Sequence, residues 1–169
     1  MASTGGERGH HVTQPAPESV PHPGPASASL PASILQALID HARAEHPNEA
    51  CGVVVGERPA ADGGRATRWE PCRNKAGSPY RYEIHPDDLL RLTIATDDAG
   101  EAFWGIVHSH THTPARPSPT DIGLALYPDA LYILVSLADT EADAAGMPSV
   151  RAWRIVDEVV HEVELLVGE

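Results

Sequence analysis

The sequence predicts a mixed α/β domain, a sheet with helices packed around it. Three observations carry that expectation. Apolar runs of strand length recur along the chain, two longer segments space their apolar residues as a helix does, and no internal repeat divides them. A length of 169 residues suffices for one domain with a sizeable core.

Residues 1–29 are rich in Pro, Ser, Gly, Ala and His, with only Val12 and Val20 as larger aliphatics. Burial on that scale cannot offset the entropy of ordering, so a disordered tail is expected, with the folded domain at 30–169. His10, His11 and His22 read as solvated tail residues rather than a metal site. Ser29-Leu-Pro-Ala-Ser then opens a helix that runs to about Glu45, with Ile34, Leu35, Leu38, Ile39 and Ala42 on one face. Ala50 to Gly56, with three valines, is a central strand. A turn at Arg58 to Gly64 links it to a second strand at Ala66 to Pro71.

Tyr80-Arg-Tyr-Glu-Ile84 alternates as a half-buried strand, and His85-Pro-Asp-Asp starts a second helix reaching about Asp98. Ala102 to Val107 is a buried strand. A short helix is expected at 118–126, a near-continuous apolar strand at Ala130 to Leu137 and a polar loop at Asp139 to Pro148. Two strands then follow, Val150 to Val156 and Val159 to Val167, joined by a tight turn at Asp157-Glu158.

Composition excludes several function classes. Formal net charge is −12, and only Glu7, Arg8 and Glu18 of the first 29 residues are charged, so the body carries nearly all the acidity. Such a surface repels phosphate backbones and argues against a nucleic-acid partner. No run approaches the roughly 18 apolar residues of a membrane helix. The N-terminus lacks a basic region followed by an apolar one, which argues against a secretory signal. Cys51 and Cys72 do not make a disulfide framework. A cytoplasmic enzyme without a membrane partner is the simplest expectation.

The chemistry-bearing stretch runs from His108 to Asp121, His-Ser-His-Thr-His-Thr-Pro-Ala-Arg-Pro-Ser-Pro-Thr-Asp. His108 and His110 follow the apolar run directly. On a strand, side chains at i and i+2 point to the same face, so both imidazoles can reach one point. Ser118-Pro119 reads as a helix start with serine as N-cap, which places Asp121 one turn in, able to face back toward the strand end. Two imidazoles and one carboxylate are a ligand set zinc accepts, and three protein ligands leave a position for water, as catalytic sites do. Asp121 has a structural alternative as a first-turn acid favouring the helix dipole. Ser118 has two roles open to it, N-cap and hydrogen-bond donor to an oxyanion.

This motif resembles that of the JAMM (MPN+) metalloproteases, zinc isopeptidases and deubiquitinases of the JAB1/MPN/Mov34 fold, over the chain from about Ile34 onward. That resemblance implies a cytidine-deaminase-like architecture, one Zn2+ per chain held by His108, His110 and Asp121, and catalysis by an upstream glutamate. Glu49 in His46-Pro-Asn-Glu-Ala-Cys-Gly52 fits that place, as general base, with Ser118 assisting. The Glu-Ala-Cys-Gly segment and Trp153-Arg-Ile-Val-Asp157 look most like the small bacterial branch, which acts on ubiquitin-like sulfur-carrier proteins and includes the CysO-cysteine peptidases. The implied substrate is a carrier ending in Gly-Gly, joined to lysine, cysteine or another protein. One departure is Thr111, where many family members have proline; it bears on the loop and leaves the ligands intact.

His112 continues the alternation, but Pro114 and Pro117 mark a loop expected to turn it away from the metal, so that it either supports a ligand from behind or faces substrate. Cys51, in an apolar strand, reads as a small buried hydrophobe rather than a nucleophile, and Cys72 has no partner motif. The loop Asp62-Gly-Gly and the segment 112–117 are candidate walls of the site, and edge strands would allow a homodimer. Two other readings stay open: a non-catalytic scaffold of the same fold, and a zinc hydrolase of small amides without a protein partner.

Overall fold

Two cores, one on each face of a single sheet, organise the molecule, whose computed structural model describes residues 24–168. The sheet has seven strands: β1 (Ser27–Pro31), β2 (Cys51–Gly56), β3 (Ala66–Cys72), β4 (Ala102–His110), β5 (Leu131–Ser136), β6 (Ser149–Val156) and β7 (Val159–Gly168). Their spatial order is β1-β7-β6-β5-β4-β2-β3. β4 and β5 run parallel, as do β1 and β7, and the other neighbours are antiparallel. Central strands covered on both faces should read as unbroken apolar runs, and every residue of β2 and β5 is buried. The mixed α/β fold expected from the sequence is the one observed.

The helix α1 (Ala32–Glu45) covers one face through Ile34, Leu38, Ile39 and Ala42. These meet Val54, Trp104, Val107, Ile133 and Val135. Burying each large aliphatic is worth about 1.5–3 kcal/mol, which makes this face the main anchor of the helix. The second helix, α2 (Pro86–Ala99), begins where His85 accepts the Asp87 N–H and ends at Gly100, in the left-handed conformation (φ 66°). It sends Leu92 into the opposite core, with Val53, Ile106 and Leu134. Among the described residues no helix is long and apolar enough to cross a membrane.

Three local expectations are corrected. Residues 27–29, assigned to a disordered tail, belong to β1, which pairs with β7 from Ser27↔Glu164 to Pro31↔Gly168 and buries Leu30. The ladder and that one side chain supply what the polar composition does not, and α1 starts at Ala32 rather than Ser29. Of the rest of the expected tail, residues 1–23 lie outside the described residues, and 24–26 lead into β1. The 80–84 segment is not a strand. One bridge, Asn74↔Ile84, touches it, and the Asn74 side chain takes up its backbone groups, bonding the Arg81 carbonyl and the Glu83 N–H. The short helix α3 (Pro119–Gly123) stops before 126, leaving Leu124 and Leu126 exposed.

A β-bulge in β4 decides where the histidines point. Val54 pairs with Gly105 but Val55 pairs with Phe103, so Trp104 is an extra residue. Phe103 packs with the α2-side core, Trp104 is buried on the α1 side, and beyond the bulge Ile106 is again on the α2 side. Strict alternation from Phe103 would put residues 106, 108 and 110 against α1. The inserted residue reverses that parity, as bulges do. Trp104 itself is held by its indole N–H, which donates to the Gly64 carbonyl at 2.6 Å.

Candidate active site

His108 and His110 are the last inward-pointing residues of β4, side by side at the strand end where it pairs with β5 at Leu134 and Ser136. Their Nε2 atoms lie 3.2 Å apart. The Asp121 carboxylate spans them, one oxygen 3.2 Å from His108 Nε2 and the other 3.3 Å from His110 Nε2. A tetrahedral zinc with bonds of about 2.0 Å would set its ligand atoms about 3.3 Å apart. The His110 ring is oriented from its far side. Its Nδ1 faces the Pro114 carbonyl at 2.8 Å, and a carbonyl only accepts, so Nδ1 carries a proton and Nε2 is the nitrogen left to bind a metal. The group could hold a metal ion.

The local sequence builds Asp121 into place. Ser118 caps α3: its Oγ accepts the Asp121 N–H at 3.2 Å, and Asp121 returns the bond by accepting the Ser118 N–H at 2.7 Å. This reciprocal capping box fixes the carboxylate that faces the imidazoles. One rotamer of Asp121 thus serves the helix start and faces both imidazoles, so the helix role does not exclude the other. Burial opposes ionisation of Asp121, but the hydrogen bonds with His108 and His110 outweigh it and hold the carboxyl well below its usual range.

Glu49 lies two residues before the start of β2 and is pinned on both sides. Its N–H donates to the Ser78 carbonyl, its carbonyl accepts from Asn74 Nδ2, and the next residue's N–H donates to Ser109 Oγ at 2.8 Å. Ser109 is the residue between the two histidines, so one hydroxyl ties the Glu49 segment to the ligand strand. The Glu49 side chain is only 5% exposed, and burial raises its pKa to about 7; His110 pulls it down and Asp121 adds to the rise. A carboxyl poised there can accept and release a proton near neutral pH.

Glu49, His110, Ser118 and Asp121 line one pocket of about 660 Å3, whose wall also includes Tyr82, Ile84, Leu89, Leu126 and Tyr127. His112 lies on its rim, exposed, with its ring stacked 6.0 Å from Tyr80 and Nδ1 2.6 Å from the Thr111 hydroxyl. That places it outside the His108, His110 and Asp121 group. Thr111 also donates to the Pro79 carbonyl, joining the loop after β4 to the segment after β3. Of the two expected walls, residues 112 and 113 are present, but Asp62-Gly-Gly is not part of the pocket. That turn packs instead beneath Trp104. Cys51 and Cys72 are buried opposite each other on β2 and β3, and burial pushes their thiols up to about 12 and about 11, so neither is a nucleophile.

One participant was missed. Tyr82 stacks on His108, with ring centroids 4.2 Å apart and planes at 18°. Its alternation with Ile84 was visible, but nothing in the spacing relates it to a histidine on another element.

The CysO-cysteine peptidase of Mycobacterium tuberculosis is 41% identical over 138 residues, covering 82% of this chain and 89% of the relative. A desampylase of Haloferax volcanii is 32% identical over 113 residues, 64% of this chain and 79% of that one. A solution structure of a protein from Desulfitobacterium hafniense matches with a TM-score of 0.72 at 32% identity, over 84% of this chain and 93% of that chain. A crystal structure of a JAB1/MPN domain protein from Archaeoglobus fulgidus, at 19% identity and a TM-score of 0.52, shares the fold. The family model that describes the prokaryotic homologs of the JAB domain matches residues 31–156, and the chain belongs to that family.

Proposed function

We propose that the protein is a zinc-dependent peptidase or isopeptidase that hydrolyses the bond after the C-terminal Gly-Gly of a ubiquitin-like or sulfur-carrier protein. The observation that carries this is the grouping of His108, His110 and Asp121, of which His110 and Asp121 line the same pocket as a buried, proton-poised Glu49. The names of the relatives support a peptidase of carrier conjugates. Zinc held by the three side chains would supply a polarised scissile carbonyl and a water of lowered pKa.

The chain's own residues do the rest. Glu49 takes a proton from the attacking water and hands it to the leaving amine. Its backbone anchors at Ser78 and Asn74 hold the Glu49 main chain in place through both transfers. The Ser118 hydroxyl, at the start of α3, donates to the carbonyl oxygen as that atom gains charge. The apolar wall from Tyr82 to Tyr127 excludes bulk water and strengthens each of these interactions.

The test is metal content of the purified protein, with cleavage of carrier–Gly-Gly–cysteine and carrier–Gly-Gly–lysine fusions before and after chelation. About one zinc per chain and chelator-sensitive cleavage at the diglycine are expected. Absence of tightly bound metal would turn the reading toward a non-catalytic scaffold. Equal rates on the intact carrier and on a short Gly-Gly peptide would favour a small-amide hydrolase.

A further inference from the structure

The two histidines are held in different ways. His110 is oriented by its Nδ1–H bond to the Pro114 carbonyl. His108 is buried, and its Nδ1 has no hydrogen-bond partner among the described residues. Ligand imidazoles are usually oriented by a bond from the nitrogen that faces away from the metal. Histidine is soft about its last side-chain torsion, so a ring without that bond needs another constraint. On His108 the near-parallel ring of Tyr82 is that constraint, while His110 meets the edge of the cluster with its plane at 62° to His108.

The Tyr82 ring is itself fixed from its backbone. Asn74 bonds the Arg81 carbonyl and the Glu83 N–H on either side of it, and Lys75 N–H donates to the Glu83 carbonyl. The same Asn74 side chain bonds the Glu49 carbonyl. The electron-rich phenol face also suits an imidazole that gives electron density to a cation, because that ring becomes electron-poor.

We propose that Tyr82 is a positioning residue for the metal site, setting the plane of His108 by stacking in place of the missing hydrogen bond. This rests on reading His108, His110 and Asp121 as metal ligands. The ring is what matters, not the hydroxyl.

The test compares the full-length protein with Tyr82→Phe and Tyr82→Leu. Zinc affinity is measured by competition with a chromophoric chelator, and site geometry by the visible absorption of the Co2+-loaded protein. Tyr82→Phe should bind within about twofold of wild type with the same Co2+ bands. Tyr82→Leu should bind about tenfold or more weakly, the scale of lost outer contacts to a ligand, with shifted bands. If the leucine variant does not fold, Tyr82→Met fills the space without a ring and is read the same way. Wild-type affinity and spectrum in the ringless variant would overturn the inference, and so would a loss in Tyr82→Phe as large as in Tyr82→Leu. A wild-type protein that takes up no metal would instead overturn the metal reading, and this inference with it.

Discussion

Glu49→Gln should make the metal-free protein more stable at alkaline pH and slow the turnover of the zinc-loaded protein. Burial lifts the carboxyl from its ordinary 4.5 to about 7. Each pH unit of that rise corresponds to about 1.4 kcal/mol, so holding Glu49 ionised in the fold costs about 3 kcal/mol. The sign follows from which state binds the proton more tightly. Below pH 4.5 both folded and unfolded chains carry it, and there is no penalty. Between 4.5 and about 7 the unfolded chain ionises first and stability falls; above 7 the loss is complete. Glutamine carries no charge and escapes the titration. In chelator-treated protein, the stability gap between variant and wild type should therefore be small at pH 5 and reach about 3 kcal/mol at pH 8. For a domain of this size that is a rise in melting temperature of roughly 6–12 °C. Thermal melts at the two pH values measure it, and a gap that does not change with pH would refute the burial argument. On a carrier fusion the same variant, loaded with zinc, should lose about 10²–10⁴-fold in kcat.

Ser118 can be tested for its two roles separately. Ser118→Ala removes the cap and the hydroxyl and should cost about 1 kcal/mol, whereas Ser118→Gly keeps most of the capping and costs only a few tenths. Both should lose about 10²–10³-fold in kcat if the hydroxyl stabilises developing charge, and a near-normal rate in the glycine variant would reduce Ser118 to a cap. Asp88, which accepts from both the side chain and the backbone N–H of Arg73, has its pKa lowered from 3.8 to about 2. A lowered carboxylate stabilises above its unfolded value and loses that contribution as pH falls through the folded one. Because Arg73 is 60% exposed, Asp88→Asn should cost only about 1 kcal/mol at pH 6, and urea melts should show the difference closing between pH 4 and pH 2. Gly52→Ala should be disproportionately disruptive: its added carbon would sit 2.5 Å from the Glu70 carbonyl, pushing β3 away from β2 just beyond Glu49. A loss of roughly 1–3 kcal/mol by the same melts is expected, and none would show that β3 moves freely.

Much of the fold was legible because burial leaves a plain pattern. Strands covered on both faces show as unbroken apolar runs at 50–56 and 130–137, and the two long helices show as spaced aliphatics. The grouping of His108, His110 and Asp121 follows from period-two geometry and one serine cap, both readable from spacing. Other features carry no such mark. The bulge at Trp104 is invisible because every neighbour is apolar, although it selects the face on which the histidines lie. β1 looks like tail because Ser27, Ala28 and Ser29 are small or polar, and only pairing with a distant strand orders them. Tyr80 to Ile84 has strand alternation, but an asparagine side chain takes the place of a neighbouring strand. The Tyr82–His108 stack depends on two segments meeting in space, which no local pattern encodes.

The pairing of β1 with β7 bears on how the molecule is made. Among the described strands, ribosomal synthesis delivers β1 before all the others and its one neighbour in the sheet, β7, after them. Until residues 164–168 are available, β1 has no ladder to join and Leu30 has only part of its burial. A contact between such distant segments is entropically late and lengthens folding. The nascent chain must therefore carry α1 over an incomplete sheet, with its aliphatic face partly uncovered. Shortening the chain at Asp157 would leave β6 as an exposed, unpaired edge and trap that half-closed state, the kind of species that aggregates or is taken by chaperones.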